Sequence, residues 1–366
     1  MSSQLDALLD IIEKAPDGLA KIPLIEEAIR LADCENNLRQ QLALREQLIY
    51  QSGYYGDAFK IITTFPRYLS LIDENSDKVG RNEHYDLLWA FKYVINNGIS
   101  FYQIPWEKIY ALCEEFKNRC IQYGYSLRFY YFMQAAYGIY FSRDEEIREF
   151  FSKYQSCKRD RLSNCEACEL SFDVACYLHF DQLEEALETA KPLFSGEKKC
   201  GHVPHETYQK FLYHYVTKGK LEEAEKILDK SYKLIYKNQA FLGDLDGHLL
   251  YYAITDPIKG IKIFSRHLQW VLDSKKEWSK LSFYAASWML WENVSLRSKR
   301  KEYVLKLPQN APFTEQDGKY KVEEIMEHCK NQALSIAAKF DKRDGQPTGS
   351  KYIDEIRTAI MSRRGL

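Results

Sequence analysis

The sequence contains few of the residues that interrupt helices. Glycine and proline number 17 and 10 in a chain of 366 residues, too few for a fold with many tight β-turns. Long apolar runs are absent too, since no stretch approaches the roughly 20 apolar residues that a membrane-spanning helix needs. The first segment, MSSQLDALLDIIEK, carries acids within its apolar pattern, unlike a signal peptide. These absences predict a mainly helical protein of the cytoplasm.

No charge of one sign predominates. Lys and Arg total 51 against 52 Asp and Glu, so the chain has no overall field that would gather nucleic acid or an anionic membrane. The basic run RSKRK at 297–301 is expected to be a solvated loop or helix end. We therefore predict neither a nucleic-acid partner nor a membrane partner.

Apolar and aromatic side chains are plentiful. Hydrophobic residues make up 45% of the chain and aromatic residues 14%, with 27 tyrosines among them, enough to bury a core against the loss of chain entropy. The nine cysteines are expected to be free thiols or metal ligands, because the cytosol keeps thiols reduced.

Pairs of helical segments repeat along the chain. In TYQKFLYHYVTKGKLEEAEKILDKSYKLI, apolar residues spaced three and four apart form one amphipathic stripe, Gly219 interrupts it, and a second stripe follows. The preceding segment has the same plan, so that Ala186 and Ala224 occupy equivalent positions. A small residue there lets the second helix of each pair cross its partner closely. The corresponding places in three further segments belong to Ala58, Ile147 and Gly260.

This pattern resembles the tetratricopeptide repeat family, whose unit has a glycine before the second helix and an alanine within it. Spacings of 36 to 39 residues between equivalent positions exceed the 34-residue period of that family. The resemblance implies an all-α fold, a tetratricopeptide-like right-handed superhelix of antiparallel helix pairs with elongated repeats. The matching residues are Gly53, Tyr55 and Ala58, then Leu183 and Ala186, then Gly219, Leu221 and Ala224.

Both ends of the chain differ from the repeats. We expect residues 1–35 to form two short capping helices, residues 36–272 the repeats, and residues 273–366 a C-terminal helical cap. Such caps are needed because an open terminal repeat would expose its apolar face. The predicted elements of the C-terminal cap are an aromatic-rich helix over Glu277–Asn293, a loop through KLPQNAPFTEQDG, and helices over about Tyr320–Phe340 and Tyr352–Met361.

Two segments carry residue types that bind metals. SNCEACEL at 163–170 contains Cys165 and Cys168. Ser163 and Glu166 fit a capping box, which would put both cysteines in the first turn of a helix. The N-terminus of a helix stabilises thiolates, the form of cysteine that binds metal.

The second segment, KKCGHVPHE at 198–206, begins the next repeat. Its first helix is expected to start near Pro204, with Cys200 just before and His205 just inside it. Equivalent helices of adjacent repeats lie about 8 to 10 Å apart, so the two segments should meet. Together with Cys165 and Cys168 they would form a closed Cys3His site, which is typical of structural zinc.

Other interpretations of these residues remain open. The cysteines could be ordinary small buried side chains, or a redox dithiol. Three further residues compete as ligands, and Cys157 could replace His205. These alternates are Cys157, Cys176 and His202.

Motifs that would indicate an enzyme are incomplete. His205 and Glu206 begin like a zinc-protease helix, but residue 209 is glutamine where that motif needs histidine. The glycines of GEKKCGH are followed by His202 where a phosphate-binding loop needs lysine. We therefore assign no catalytic residue.

The segments CEAC, ETAKPLF and CGHVPHETY, with FDKRDG at 340–345, are also similar to a group of bacterial tetratricopeptide-like proteins. That likeness covers the chain from about residue 120 and implies no particular reaction.

The repeats favour a non-enzymatic scaffold that binds a protein or peptide on its stacked first helices. His179, Tyr213 and Tyr252 are predicted to face this groove, the alternative being that the tyrosines pack between helices. A second hypothesis is a peptide-responsive sensor resembling Gram-positive tetratricopeptide regulators, and a third is an accessory subunit of a bacterial defence or stress system.

Overall fold

The computed structural model describes residues 4–363. Within these residues the chain forms seventeen α-helices and one two-stranded sheet, which confirms the predicted all-α class. Contacts between residues divide the chain into two compact units, Met1–Asn164 and Cys165–Leu366. The predicted capping segments extend into residues 1–3 and 364–366, which lie outside the described part, and the predicted boundaries at 35/36 and 272/273 stay predictions.

The first unit contains eight helices and a short 3₁₀ turn at Leu19–Lys21. Two short helices at its start pack on the third through a core that includes Leu5, Ile25 and Leu48. A larger core around Phe91 and Phe116 joins the third helix to the next four. The helices are α1 (Gln4–Lys14), α2 (Ile22–Cys34), α3 (Leu38–Tyr55), α4 (Ala58–Glu74), α5 (Arg81–Gly98), α6 (Trp106–Tyr123), α7 (Arg128–Phe141) and α8 (Asp144–Ser156).

The second unit contains nine helices, a 3₁₀ segment at Gln239–Leu245 and the sheet. The helices are α9 (Glu166–His179), α10 (Leu183–Phe194), α11 (His205–Lys218), α12 (Leu221–Ile235), α13 (Asp246–Ile254), α14 (Pro257–Asp273), α15 (Glu277–Arg297), α16 (Val322–Asp344) and α17 (Thr348–Met361), and the strands are β1 (Glu302–Val304) and β2 (Lys319–Lys321).

The five helix pairs that the periodicity predicts are present. They are α3 with α4, α7 with α8, α9 with α10, α11 with α12, and α13 with α14, each packed against its partner. Successive helix pairs of this kind are the arrangement of helical-repeat proteins. The handedness of a superhelix stays a prediction.

Small residues lie where the helices come closest. Ala186 and Ala224 are fully buried. In the pair α7 and α8 the small residue is on the first helix instead of the second. A Cβ atom on Gly138 of α7 would lie 2.7 Å from Cγ1 of Ile147 on α8. The predicted small residue can therefore be supplied by either helix of a pair.

The loop predicted at 306–318 is present, but it joins two short strands that the sequence analysis did not predict. Residues 302–304 and 319–321 pair as an antiparallel ribbon with Tyr303 opposite Tyr320. Because these residues are in strands, α16 begins at Val322 and not near Tyr320, and it continues to Asp344. Most residues of the aromatic-rich α15 are buried. Among residues 4–363, no helix combines the length and apolar character needed to cross a bilayer.

Two histidines are buried without charge partners in the second unit. His248 and His267 have no exposed surface. Their Nε2 atoms lie 3.0 Å from Oγ of Ser231 and 3.0 Å from Oη of Tyr232, respectively. Burial lowers the pKa of His248 to about 4 and that of His267 to about 3. Both are structural histidines in their neutral form.

Gly260→Ala is expected to destabilise the second unit. Its new Cβ would lie 2.5 Å from Cδ1 of the fully buried Leu290, and overpacking of this kind costs about 1–3 kcal/mol. Thermal unfolding would show a lower midpoint. Gly98→Ala is the matched control, because its Cβ would meet Ile109 at an ordinary 3.5 Å. Equal midpoints for wild type and Gly260→Ala would contradict the close crossing.

Acid should destabilise the fold through the buried histidines. Their folded-state pKa values are below the ordinary value of about 6.5, so the unfolded chain binds more protons as pH falls below that value. The free energy of unfolding should drop by about 2 kcal/mol for each histidine at pH 5. Urea titrations at pH 7.5 and 5 would show a smaller drop for His267→Gln than for the wild type. An equal drop in the two proteins would refute this account.

Candidate functional site

Three cysteines meet where α9 begins and where the chain approaches α11. The sulfur atoms of Cys165, Cys168 and Cys200 all lie within 4.8 Å of one another. The sulfurs of Cys168 and Cys200 are 3.4 Å apart. Cys165 is exposed, and the other two are half-buried. We call these residues the thiol triad, a cluster that could hold a metal ion.

The sulfur of Cys165 caps α9. It accepts the backbone N–H of Cys168 at 3.4 Å, in the place that a serine hydroxyl usually takes. The predicted N-cap, Ser163, is therefore wrong, because its hydroxyl instead accepts the backbone N–H of Asp160 in the preceding turn. Capping by sulfur points Cys165 at the next turn of the helix, where Cys168 lies.

A tight turn presents Cys200. Its backbone N–H donates to the carbonyl of Val203 at 2.9 Å, and Lys198 forms an ion pair with Glu166 at the start of α9. Beneath the sulfurs lies a small apolar cluster of Ala167, Leu193 and Val203, all buried. The turn and the helix are thus joined by contacts that do not depend on metal.

One thiol of the triad ionises more readily than the other two. Hydrogen bonds from the thiols of Cys168 and Cys200 lower the pKa of Cys165, with help from backbone N–H groups. The shared hydrogen bond with Cys165 raises the pKa of Cys168. A metal would replace the remaining protons, and sulfur ligands suit zinc and softer cations better than magnesium or calcium.

His205 lies outside this group of ligand atoms. It begins α11 as predicted, but its ring stacks on Phe241 at 5.1 Å. His202 approaches Glu206 instead, with its Nδ1 3.4 Å from the carboxylate. That His205 is the fourth ligand stays a prediction.

Neither of the other alternate ligands belongs to this group of ligand atoms. Cys176 is buried two helical turns beyond Cys168 on α9, about 12 Å along the helix axis. Cys157 directly follows α8 in the first unit, where its carbonyl accepts from Arg128 at 2.8 Å. All nine cysteines are free thiols.

A charged network adjoins the triad along α11. Burial raises the pKa of Glu206, but the contacts with His202 and Lys210 lower it to about 2. Lys210 also donates to the hydroxyl of Ser171 on α9 at 3.0 Å, next to a bond from Thr207 to the same hydroxyl at 2.8 Å. These contacts hold α11 beside α9 and so keep the turn of Cys200 near Cys165.

The three residues predicted to face a groove have different neighbours. Tyr213 stacks on Tyr352 of α17 at 6.3 Å, and the charge of His179 acts on Glu355 of the same helix. Tyr252 is half-buried, and its Cβ would lie 3.2 Å from a Cβ atom on Gly260 of α14. That these three residues face a groove stays a prediction.

Helix α17 lies across the first helices α11, α13 and α15. Tyr352 donates to Asp246 at 2.9 Å, and Arg363 donates to the carbonyl of Thr217 at 3.2 Å. Asp341 accepts the backbone N–H of Gly349 at 2.7 Å and so fixes the start of α17. The face around Tyr213 is consequently covered by the chain itself.

A more open aromatic surface lies on α3 and α5 in the first unit. Tyr50 is 47% exposed, and its ring lies 4.6 Å from Tyr54 and 6.5 Å from Tyr93. Gly53 leaves room for Tyr93, whose ring would be 2.8 Å from a Cβ there. We call Tyr50, Tyr54 and Tyr93 the tyrosine face. Sequence reasoning missed it, although the four-residue spacing of Tyr50 and Tyr54 was a usable signal.

Two acids lie on the same helices as the tyrosine face. Glu46 precedes Tyr50 by one turn on α3, and Asp86 precedes Tyr93 by two turns on α5. The surrounding protein and the negative charge of Asp86 raise the pKa of Glu46 to about 7, although its side chain is exposed. The two carboxyl groups are thus close enough to repel each other.

The chain matches no protein-family model and no curated protein. Its fold and its two candidate sites are therefore the observations on which a function can be proposed.

The purified protein is expected to contain about one zinc ion per chain. Cys165→Ser, Cys168→Ser and Cys200→Ser should each lower the zinc content toward none, because each removes a thiolate ligand. Elemental analysis of the purified chains measures this. Chelation should also lower the thermal midpoint of the wild type and leave the three variants unaffected.

Two further variants show which residues bind the metal. Cys176→Ser is the matched control, because it removes a thiol from the same helix outside the triad, and it should keep its zinc. His205→Ala tests the fourth ligand, since loss of metal affinity together with a changed absorption spectrum of the cobalt-loaded protein would identify the imidazole as a ligand. Freshly purified wild type without metal would rule out the site.

Proposed function

We propose that the protein is a non-enzymatic helical-repeat scaffold that binds a protein or peptide on the tyrosine face. The observation that carries the proposal is the exposed Tyr50 on α3, whose ring contacts the half-buried Tyr54 on the same helix and Tyr93 on α5. Tyrosine offers a large rigid contact area at low entropic cost and tolerates water at its hydroxyl. Repeat proteins commonly bind partners through the stacked first helices.

The first unit suits this role better than the second. In the second unit, α17 already occupies the face of Tyr213, so a partner would have to compete with an intramolecular helix. In the first unit, Tyr50 of the tyrosine face is 47% exposed. Membership of a bacterial, cytoplasmic tetratricopeptide-like group belongs to the same proposal, supported by the matching residues around Gly53, Ala186 and Gly219.

In this proposal the thiol triad holds a structural zinc ion. The ion would tie the start of α9 to the turn that leads into α11, because two of its ligands come from the first turn of α9 and one from that turn. Binding energy at such a site becomes folding energy. A redox dithiol is the competing role for Cys168 and Cys200, whose sulfurs are 3.4 Å apart.

A peptide-responsive regulator is the second candidate function. It is favoured by α17, which fills the face of Tyr213 within the chain. A ligand that displaced this helix would couple binding to a conformational change. Hydrogen exchange of α17 with and without a captured partner separates this candidate from a rigid scaffold, because only the regulator should lose protection there.

Tyr50→Ala and Tyr93→Ala should weaken partner capture at least tenfold. Both remove aromatic area from the tyrosine face, and aromatic anchors carry much of the energy of an interface. The measurement is quantitative mass spectrometry of proteins retained by the tagged full-length chain. Tyr110→Ala is the matched control, because Tyr110 is equally exposed, at 47%, on α6. A partner retained equally by all variants would exclude the tyrosine face as its binding surface.

A further inference from the structure

The three sulfurs of the thiol triad differ in how easily a reagent in solution reaches them. Cys165 is exposed, whereas Cys168 and Cys200 are half-buried, so an oxidant meets Cys165 first. Four cysteines elsewhere are buried, and burial raises the pKa of each thiol, which keeps them protonated and unreactive. These four are Cys113, Cys120, Cys176 and Cys329.

A second thiol lies within bonding reach of the exposed one. Cys165 is the N-cap of α9, and Cys168 follows three residues later with its backbone N–H on the sulfur of Cys165. Residues i and i+3 of a helix have Cα atoms about 5 Å apart, inside the range of about 4.4–6.8 Å that a disulfide spans. The two sulfurs already lie within 4.8 Å of each other, so a disulfide between them needs no movement of the helix.

The same sulfurs would bind the zinc ion. Zinc holds its cysteine ligands as thiolates, and the thiolate is the form of cysteine that attacks an oxidant. A disulfide between Cys165 and Cys168 would leave Cys200 as the one thiolate of the triad. One thiolate does not retain the ion, so metal binding and the disulfide exclude each other.

The triad does not need the ion to stay assembled. Lys198 forms an ion pair with Glu166 across the gap between the turn of Cys200 and α9, and the hydroxyl of Thr207 donates to that of Ser171 at 2.8 Å. The start of α9 and the turn therefore remain together after the ion has left. Reduction of the disulfide would restore the metal site.

We propose that the thiol triad is a peroxide-sensitive switch, in which oxidation of Cys165 and Cys168 to a disulfide expels the zinc ion. The thiolate of Cys165 attacks one oxygen of the hydroperoxide, the O–O bond breaks, and a sulfenic acid and hydroxide form. The thiolate of Cys168 then displaces a second hydroxide from this sulfenic acid and makes the S–S bond. Two electrons pass from the two thiolates to the peroxide.

The switch rests on the zinc ion of the proposed function and adds the reaction that removes it. It differs from the competing dithiol of Cys168 and Cys200, because zinc and a disulfide alternate on the same sulfurs. The exposed Cys165 has the attacking role and Cys168 the resolving one.

Hydrogen peroxide added in excess to the zinc-containing full-length protein tests the switch. The bound zinc should fall at least tenfold, as measured by a chromophoric chelator, and dithiothreitol with added zinc should restore it. Mass spectrometry locates the disulfide after free thiols are alkylated. A glutamate-specific protease cuts after Glu166, between the two cysteines, so the disulfide should appear as two linked peptides.

Two variants assign the roles. Cys168→Ser combined with Cys200→Ser removes both thiols that can resolve the sulfenic acid, so that dimedone should trap it at Cys165. The matched control is Cys34→Ser, which removes the other exposed cysteine of the chain. It should release zinc and form the disulfide as the wild type does.

Each remaining result would count against a particular claim. Zinc and free thiols that persist in peroxide, or a sulfinic acid at Cys165 without a disulfide, would overturn the switch and leave the zinc ion of the proposed function in place. A disulfide between Cys168 and Cys200 with Cys165 reduced would overturn the role of the exposed thiol. Freshly purified protein without zinc would overturn that ion and the switch together.

Discussion

The structure depends on how closely its paired helices approach. Where a Cβ atom would collide with the neighbouring helix, the chain has glycine, as at Gly138 against Ile147 and at Gly260 against Leu290. Buried alanines occupy the equivalent positions in two other pairs. Dense packing at these crossings sets the helix positions to within the size of a methyl group. Without that precision, side chains far apart in sequence would not meet reproducibly.

The thiol triad is a consequence of that precision. Because α11 lies beside α9 through Lys210 and Ser171, the turn before α11 comes level with the first turn of α9. A cysteine at the N-cap then has its sulfur held by a backbone N–H group, which favours thiolate. The triad is therefore largely organised by the fold, so that a metal ion would add stability to an existing arrangement and would not have to create it.

Sequence periodicity predicts the helix pairs and the meeting of the cysteines, because both follow from repeat length and residue type. It does not predict which atom caps α9, since Ser163 and Cys165 both satisfy a capping pattern and the competing turn at Asp160 decides between them. Periodicity also does not predict which helix covers a buried face. The stripe around Tyr213 shows that one side of α11 is covered, whereas the identity of the cover, α17, depends on contacts more than a hundred residues away.

The two units treat their aromatic surface differently, and the difference has a physical reason. In the second unit, Tyr213 and Tyr352 cover each other, so that little of this surface is left for a partner. In the first unit, Tyr50 keeps half of its surface in water, which tyrosine tolerates because its hydroxyl remains hydrated.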